Sequence, residues 1–199
     1  MADLMYDQLA DSYDELHGKE QQQKNQIILS RLMPKIKRVS INSADKKQKV
    51  FRILDVGCGT GIFLEQLQQN MKENMKKNFL QRIELYGIDP SSKMLLIAGK
   101  KGSFVLKRGF AEKLPFPAES FDIVVSVTAA HNFNNLKKAF SEIRRVAKKD
   151  AMIIVSILKK SRRLQGCSDI LASKFNVKEM IEEEHDIIFF SENSKKSLE

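Results

Sequence analysis

The sequence predicts an α/β protein: a seven-stranded, mostly parallel sheet with helices on both faces. Three observations carry this. From residue 50 onward, short apolar and β-branched runs alternate with stretches whose apolar residues recur at helical spacing. The strand runs are mostly apolar rather than strictly alternating, as expected of strands covered on both faces. The first of them ends in the cluster Gly57-Cys58-Gly59-Thr60-Gly61, and a helical stripe follows it.

Residues 3–16 read as a helix, because Tyr6, Leu9, Tyr13 and Leu16 share one face of a 3.6-residue period. A second helix is expected from about Glu20 to Met33, ended by Pro34. Lys35–Lys49 is polar and basic and reads as a linker or loop in which Ile36, Val39 and Ile41 pack locally. Strands are expected at Val50–Val56, Ile83–Asp89, Phe104–Arg108, Phe121–Val127, Ala151–Leu158, Val177–Glu184 and Asp186–Ser191. Between them lie the stripes Leu64-Leu67-Met71-Met75-Phe79, Met94-Leu95-Ala98, Leu136-Phe140-Ile143-Ala147 and Leu164-Cys167-Leu171-Phe175, with Ser91 as the N-cap of the second.

At 199 residues, 42% of them hydrophobic and 30% charged, the chain suits a single domain with a core to bury. Its expected parts are two N-terminal lid helices and a basic loop (1–49), the α/β core (50–191) and a frayed tail (192–199). The longest apolar runs, Met94–Ala98 and Ala151–Val155, have five residues. A membrane helix needs about 20 and a signal-peptide core about 7–15, so neither is expected. Two cysteines, Cys58 and Cys167, make neither a zinc cluster nor a disulfide framework. A reduced, cytoplasmic setting follows. The net charge of +9 is uneven: residues 1–20 hold six acids and one lysine, residues 21–50 eight bases and one acid. A basic body behind an acidic first helix is compatible with an anionic partner such as RNA.

In a parallel sheet the ligand sits outside the carboxyl ends of the strands, so functional residues should follow the strands. The loop Asp55-Val56-Gly57-Cys58-Gly59-Thr60-Gly61 stands there, before a helix whose first N–H groups are free. A dinucleotide fingerprint needs a small residue at position 62, which is Ile62. Asp55 would repel a pyrophosphate and suit a ligand carrying an amino group. Asp89 ends the second strand in Gly87-Ile88-Asp89-Pro90, the position that holds ribose hydroxyls in nucleotide-binding sheets.

Leu54–Gly61, Gly87–Pro90, Ala111–Phe116 and Ser120–Val124 together resemble the class I S-adenosylmethionine-dependent methyltransferases, in the style of the small type 11 enzymes of ubiquinone and menaquinone biosynthesis. The resemblance covers roughly residues 3–160 and takes in Tyr6-Asp7…Ala10…Tyr13-Asp14. It implies a Rossmann-like sheet with the last strand antiparallel, and S-adenosyl-L-methionine as cofactor. It implies that Gly57, Cys58, Gly59 and Gly61 admit the cofactor's methionine part, with Asp55 near its amino group and Val127 bordering it. Asp89 and Pro90 would serve the ribose, Ala111 and Glu112 the adenine, and Tyr13 would lie over the cofactor. Where the family usually has Asp before the Ala-Glu pair, this chain has Phe110, so adenine recognition is expected to be either apolar or weaker. His131 matches the first histidine of the family's frequent His-His pair and is the candidate general base. No metal and no membrane contact are expected.

The resemblance leaves the acceptor open. The leading expectation is RNA or a translation-related protein, reached through the basic rim Lys159, Lys160, Arg162 and Arg163 after the fifth strand. The alternatives are a small molecule such as a quinone, and a non-catalytic cofactor-binding subunit. Some translation-related relatives carry a small zinc-binding activator on the edge strand equivalent to Phe104–Arg108. The same partner is expected here if that strand is an uncovered edge.

Overall fold

The structure is a computed structural model and describes residues 13–42 and 50–194. A single long helix, α1 (Tyr13–Asn42), leads into β1 (Phe51–Val56), α2 (Ile62–Asn74), the short α3 (Lys77–Leu80), β2 (Ile83–Asp89), α4 (Ser92–Lys101), β3 (Val105–Arg108) and β4 (Phe121–Ser126). A 3₁₀ turn at Ala130–Asn132 precedes α5 (Leu136–Val146), β5 (Ala147–Leu158), α6 (Leu164–Lys174), β6 (Asn176–Glu182) and β7 (Asp186–Glu192). The strands form one sheet in the order β3-β2-β1-β4-β5-β7-β6. All pairs are parallel except those of β7, which runs against both β5 and β6. The expected seven-stranded α/β sheet with its last strand antiparallel is thus the observed one.

Both faces of the central strands are buried, and adjacent residues feed different cores. Leu54 and Val124 pack with Phe140, Ile143 and Phe175 under α5 and α6. Their chain neighbours Ile53 and Ile123 pack with Leu64, Leu67, Ile28, Leu32 and Ile36 under α2 and α1. The near-continuous apolar strands follow from this two-sided burial. The order reverses between β1 and β4, so the crevice for a ligand opens at their carboxyl ends.

The N-terminal half departs from expectation. α1 does not stop at Pro34 but runs through it to Asn42, so Lys35–Asn42 is helix and not linker. Pro34 and Ser30, whose carbonyl loses its helical donor, both lie on the exposed side, where water takes the carbonyl. On the other side Leu32, Met33 and Ile36 are buried and keep the next turn in register. From Ile28 onward the segment read as a lid is part of the core. The expected helix over residues 3–16 falls mostly outside the described residues, as do 43–49 and 195–199.

Later elements keep their expected places with small shifts. Ser91 caps α4 by accepting from the Met94 amide at 3.1 Å. The stripe through Phe79 is broken at Met75, so α2 and α3 are separate. β5 begins at Ala147, four residues early.

Because Ile36 is fully buried beyond the proline, Ile36→Ala should lower the unfolding free energy by about 2–5 kcal/mol. Chemical denaturation measures this, and a wild-type midpoint would mean that the last turns of α1 lie off the core.

Candidate functional site

A cavity of about 300 Å³ opens at the carboxyl ends of β1, β2 and β4. Its walls are Gly57 and Gly59 from the loop after β1, Ile88–Pro90 and Met94 after β2, Gly109–Glu112 after β3, and Val127–Ala129 with Asn132–Asn134 after β4. A smaller cleft of about 50 Å³ shares Gly57, Gly59 and Val127 with it. That cleft is lined further by Asp55, Cys58 and Thr60, and by Gln21 and Asn25 of α1.

The loop after β1 is set by backbone geometry. Gly57 has φ +79, and a Cβ there would stand 2.5 Å from the Ala129 Cβ. Gly59 has φ +52 and nothing within 4 Å of where its Cβ would be, so its bare backbone faces open space. Gly61 also has a positive φ, but it lies against Ala98 of α4 and lines neither space. Asp89 fastens the loop: its Oδ2 accepts from the Gly59 amide at 2.9 Å and its Oδ1 from the Ser91 amide at 2.9 Å. Asp55 has no such support. It is 2% exposed, its Oδ1 has no hydrogen-bond partner, and burial followed by the nearby Asp89 charge pushes its pKa up to about 8. Asn25 repeats the pattern from α1, being 1% exposed with an unpartnered Oδ1. Two buried oxygens without donors therefore flank one small cleft. That arrangement suits a ligand bringing an ammonium or other N–H donors.

In the core that carries the 109–119 segment, Tyr86, Phe116 and Phe121 meet edge to face at 5.0–5.8 Å between centroids. Arg145 donates to the Leu114 and Phe116 carbonyls and pairs with Glu142, which accepts from the Leu114 amide. These contacts fix the segment carrying Ala111 and Glu112. The Glu112 carboxylate accepts from the Asn135 amide at 2.9 Å and so also braces the start of α5. Phe110, 45% exposed, stands on the cavity rim.

The structure brings Asp55, Gly57, Cys58, Gly59, Asp89, Pro90, Ala111, Glu112 and Val127 to one place. His131 is beside it but not in the wall, with a buried, unpartnered Nδ1 and a pKa lowered chiefly by burial. The Tyr13 side chain lies outside the described residues. Burial pushes the Cys58 thiol well up and raises that of Cys167, which keeps both as thiols. In the basic rim, Arg163 donates to the Phe133 and His131 carbonyls and Lys159 pairs with Glu182 at 3.1 Å. Among the described residues, no group of three or more His, Cys, Asp or Glu could hold a metal ion, and no helix is long and apolar enough to cross a membrane.

Sequence reasoning missed Gln21, Lys24 and Asn25. Their signal is positional: with Ile28, Leu32 and Ile36 they continue one helical face, and polar residues in a core stripe need a partner.

A family model described as a methyltransferase domain matches residues 54–155. The chain is 38% identical over 110 residues to the ubiquinone/menaquinone biosynthesis C-methyltransferase UbiE of Campylobacter jejuni, a match covering 54% of this chain and 45% of that protein. The chain thus spans about half the length of the curated relatives it matches first. Among solved structures, an S-adenosylmethionine-dependent methyltransferase from Aquifex aeolicus is similar with a TM-score of 0.60 at 20% identity, over 79% of this chain and 88% of that one. A chain from the complex between the Haloferax volcanii Trm112 methyltransferase activator and the putative methyltransferase has a TM-score of 0.59 at 13% identity, over 96% of this chain and 98% of that one. Both likenesses are of fold.

Asp55 sets a pH dependence for the ligand-free protein. Its folded pKa of about 8 lies above the ordinary value of 3.8, so the folded state holds the proton more tightly. That stabilising contribution is complete below about pH 4 and is lost as pH rises toward 8. Wild type should therefore lose more thermal stability between pH 5 and about 8 than Asp55→Asn. Parallel melting-temperature curves for the two proteins would contradict the assignment.

Proposed function

We propose that this chain, which belongs to the methyltransferase-domain family, transfers a methyl group from S-adenosylmethionine to an acceptor bound over the carboxyl ends of β1 and β4. The observation that carries this is the pair of spaces built after β1. One is a cavity bounded by Gly59 and Asp89, the other a cleft holding the unpartnered Asp55 and Asn25 oxygens. The residues present suit S-adenosylmethionine: its ammonium would supply the donors that Asp55 and Asn25 lack, and Asp89 would serve its ribose hydroxyls. Bound ammonium would hold Asp55 ionised, so binding releases a proton below about pH 8.

When bound, the sulfonium supplies an already activated methyl group. The protein's own task is to orient the two partners and exclude water. Gly57 and Gly59 allow close approach, and Val127–Ala129 form the wall opposite them. Phe110 gives the rim an apolar lip where the family usually has a carboxylate. His131, kept neutral by burial, is the group available to take an acceptor proton, and an acceptor must reach it from beside the cavity.

For the acceptor we favour an RNA or a translation-related protein, in a cytoplasmic setting. The loops beyond β4 and β5 are short, nine residues (127–135) and five (159–163), so little chain is available to roof the cavity. A large acceptor brings its own walls. A second reading, a small quinone-like acceptor, is favoured by the likeness to UbiE.

We also propose a small activator-like partner at β3. Among the described residues this strand ends the sheet and pairs only with β2. Leu106 packs inward against Gly87 and Gly99, while Val105 is 43% exposed and Leu96 of α4 is 69% exposed. A partner strand would add there, as edge strands invite. Haloferax volcanii supplies a methyltransferase of similar extent solved in complex with such an activator.

Three outcomes are expected. Asp89→Ala should weaken S-adenosylmethionine binding by about 1.5–3 kcal/mol in calorimetry, and unchanged affinity would remove Asp89 from the site. Tritiated-methyl transfer into fractionated lysate should label RNA or protein; label in small molecules alone would select the second reading, and none anywhere would reject the activity. Val105→Glu should abolish capture of an activator-type partner while sparing cofactor binding. An isolated chain that is monodisperse, fully active and indifferent to partners would rule that surface out.

A further inference from the structure

Helix α1 carries a lysine in the middle of its core face. Lys24 and Asp186, the first residue of β7, are each 0% exposed, and the Lys24 Nζ lies 2.8 Å from the Asp186 Oδ2. The same Nζ donates to the Thr128 Oγ1 at 2.6 Å, and that hydroxyl donates to the Asp186 Oδ2 at 2.8 Å. The Thr128 amide donates to the Oγ of Ser156, a fully buried residue of β5, at 2.7 Å. Four segments distant in sequence thus meet on one threonine.

Stability alone does not account for this cluster. Burying a charge pair costs desolvation that its attraction rarely exceeds, and apolar side chains of like volume serve a core as well. Nor is the backbone relaxed. Thr128 has φ +53, a left-handed conformation that β-branched residues adopt only under constraint. Such strain persists where surrounding contacts over-determine it, and Lys24, Asp186 and Ser156 do so here. Thr128 is also a wall of the main cavity, and its neighbour Ala129 touches the space above Gly57. The constrained residue is therefore the one that sets how the turn after β4 faces the glycine loop.

We infer that Lys24 is a positioning residue: clamped on Asp186, its ammonium holds Thr128 in the left-handed turn and so ties helix α1 to the shape of the cavity. Lys24 acts through Thr128 and lines neither space itself. The reading of the cavity as a cofactor site enters only one of the two measurements below.

The test uses the full chain and the paired apolar variant Lys24→Met/Asp186→Leu, which removes both charges together. Hydrogen exchange followed by mass spectrometry reads residues 127–133, and calorimetry reads S-adenosylmethionine affinity. The clamp predicts a variant that melts near wild type yet exchanges at least tenfold faster at 127–133, with α2 and β1 unchanged. It also predicts affinity at least tenfold weaker, with part of the loss restored by adding Thr128→Gly, since glycine takes this φ without strain. A folded double variant with wild-type exchange and wild-type affinity overturns the inference. If the double variant does not fold, Thr128→Ala replaces it. That change keeps the ion pair but removes the hydroxyl, and wild-type exchange at 127–133 again overturns the clamp. If wild type itself does not bind S-adenosylmethionine, the cofactor reading fails, and the exchange measurement still decides the clamp.

Discussion

One carboxylate, Asp89, is the fixed point around which the ligand end of this molecule is arranged. It takes the Gly59 amide with one oxygen and the Ser91 amide with the other. The same group thereby closes the loop after β1 and starts the helix after β2. Backbone donors favour the charged form of a carboxylate, and Asp89 has two of them though nearly buried. Asp55, one strand away, is enclosed just as deeply without equivalent donors and within reach of the Asp89 charge. The two acids are alike in chemistry and opposite in support, and the difference is made by where one glycine-loop amide and one cap amide point.

The second wall is fixed by other means, and the contrast shows in what each side costs the fold. The 109–119 segment is held by aromatic edges and by Arg145, whose donors go to backbone carbonyls. The turn after β4 is held by a buried ion pair and a strained threonine. The first side rests on packing and on arginine bonds to backbone, whereas the second rests on a desolvated pair with one orphaned oxygen on Asp186. Asp14 of α1 ties the glycine loop to α4, accepting from the Thr60 hydroxyl and pairing with Lys101.

The sheet and the glycine-loop half of the site were legible in the sequence because local signals and tertiary burial agree there. β2 falls where its apolar run ends in Asp89, and Ser91 caps the helix that its position announces. The misses share one cause, namely that tertiary contacts overrule a local rule. Pro34 should end a helix, but Ile36 is worth more buried than the one backbone bond lost on the wet side. Arg145 braces a loop some thirty residues upstream and Lys148 pairs with Asp122 at 2.6 Å, contacts that the charge pattern of the sequence does not announce. Lys24, Thr128 and Asp186 stand 104 and 58 residues apart along the chain, and no local pattern links them. Of Val105 and Leu106, only the sheet tells which faces Gly87.

The internal engagement of the basic rim has a consequence for any polyanion that approaches it. Affinity for a nucleic-acid strand depends on salt in proportion to the number of phosphates neutralised, because each contact frees a condensed counterion. Of the four rim residues, Arg163 already serves two carbonyls and Lys159 already has Glu182. Lys160 and Arg162 remain to meet phosphates without giving up such a bond, and two contacts to a single strand correspond to a log–log slope of only about −1.4. Binding through this rim would thus be weak by itself and would fall by only about sevenfold for a fourfold rise in salt. Tight recognition of such a substrate would have to come from its shape or its bases, or from charges carried by a second protein.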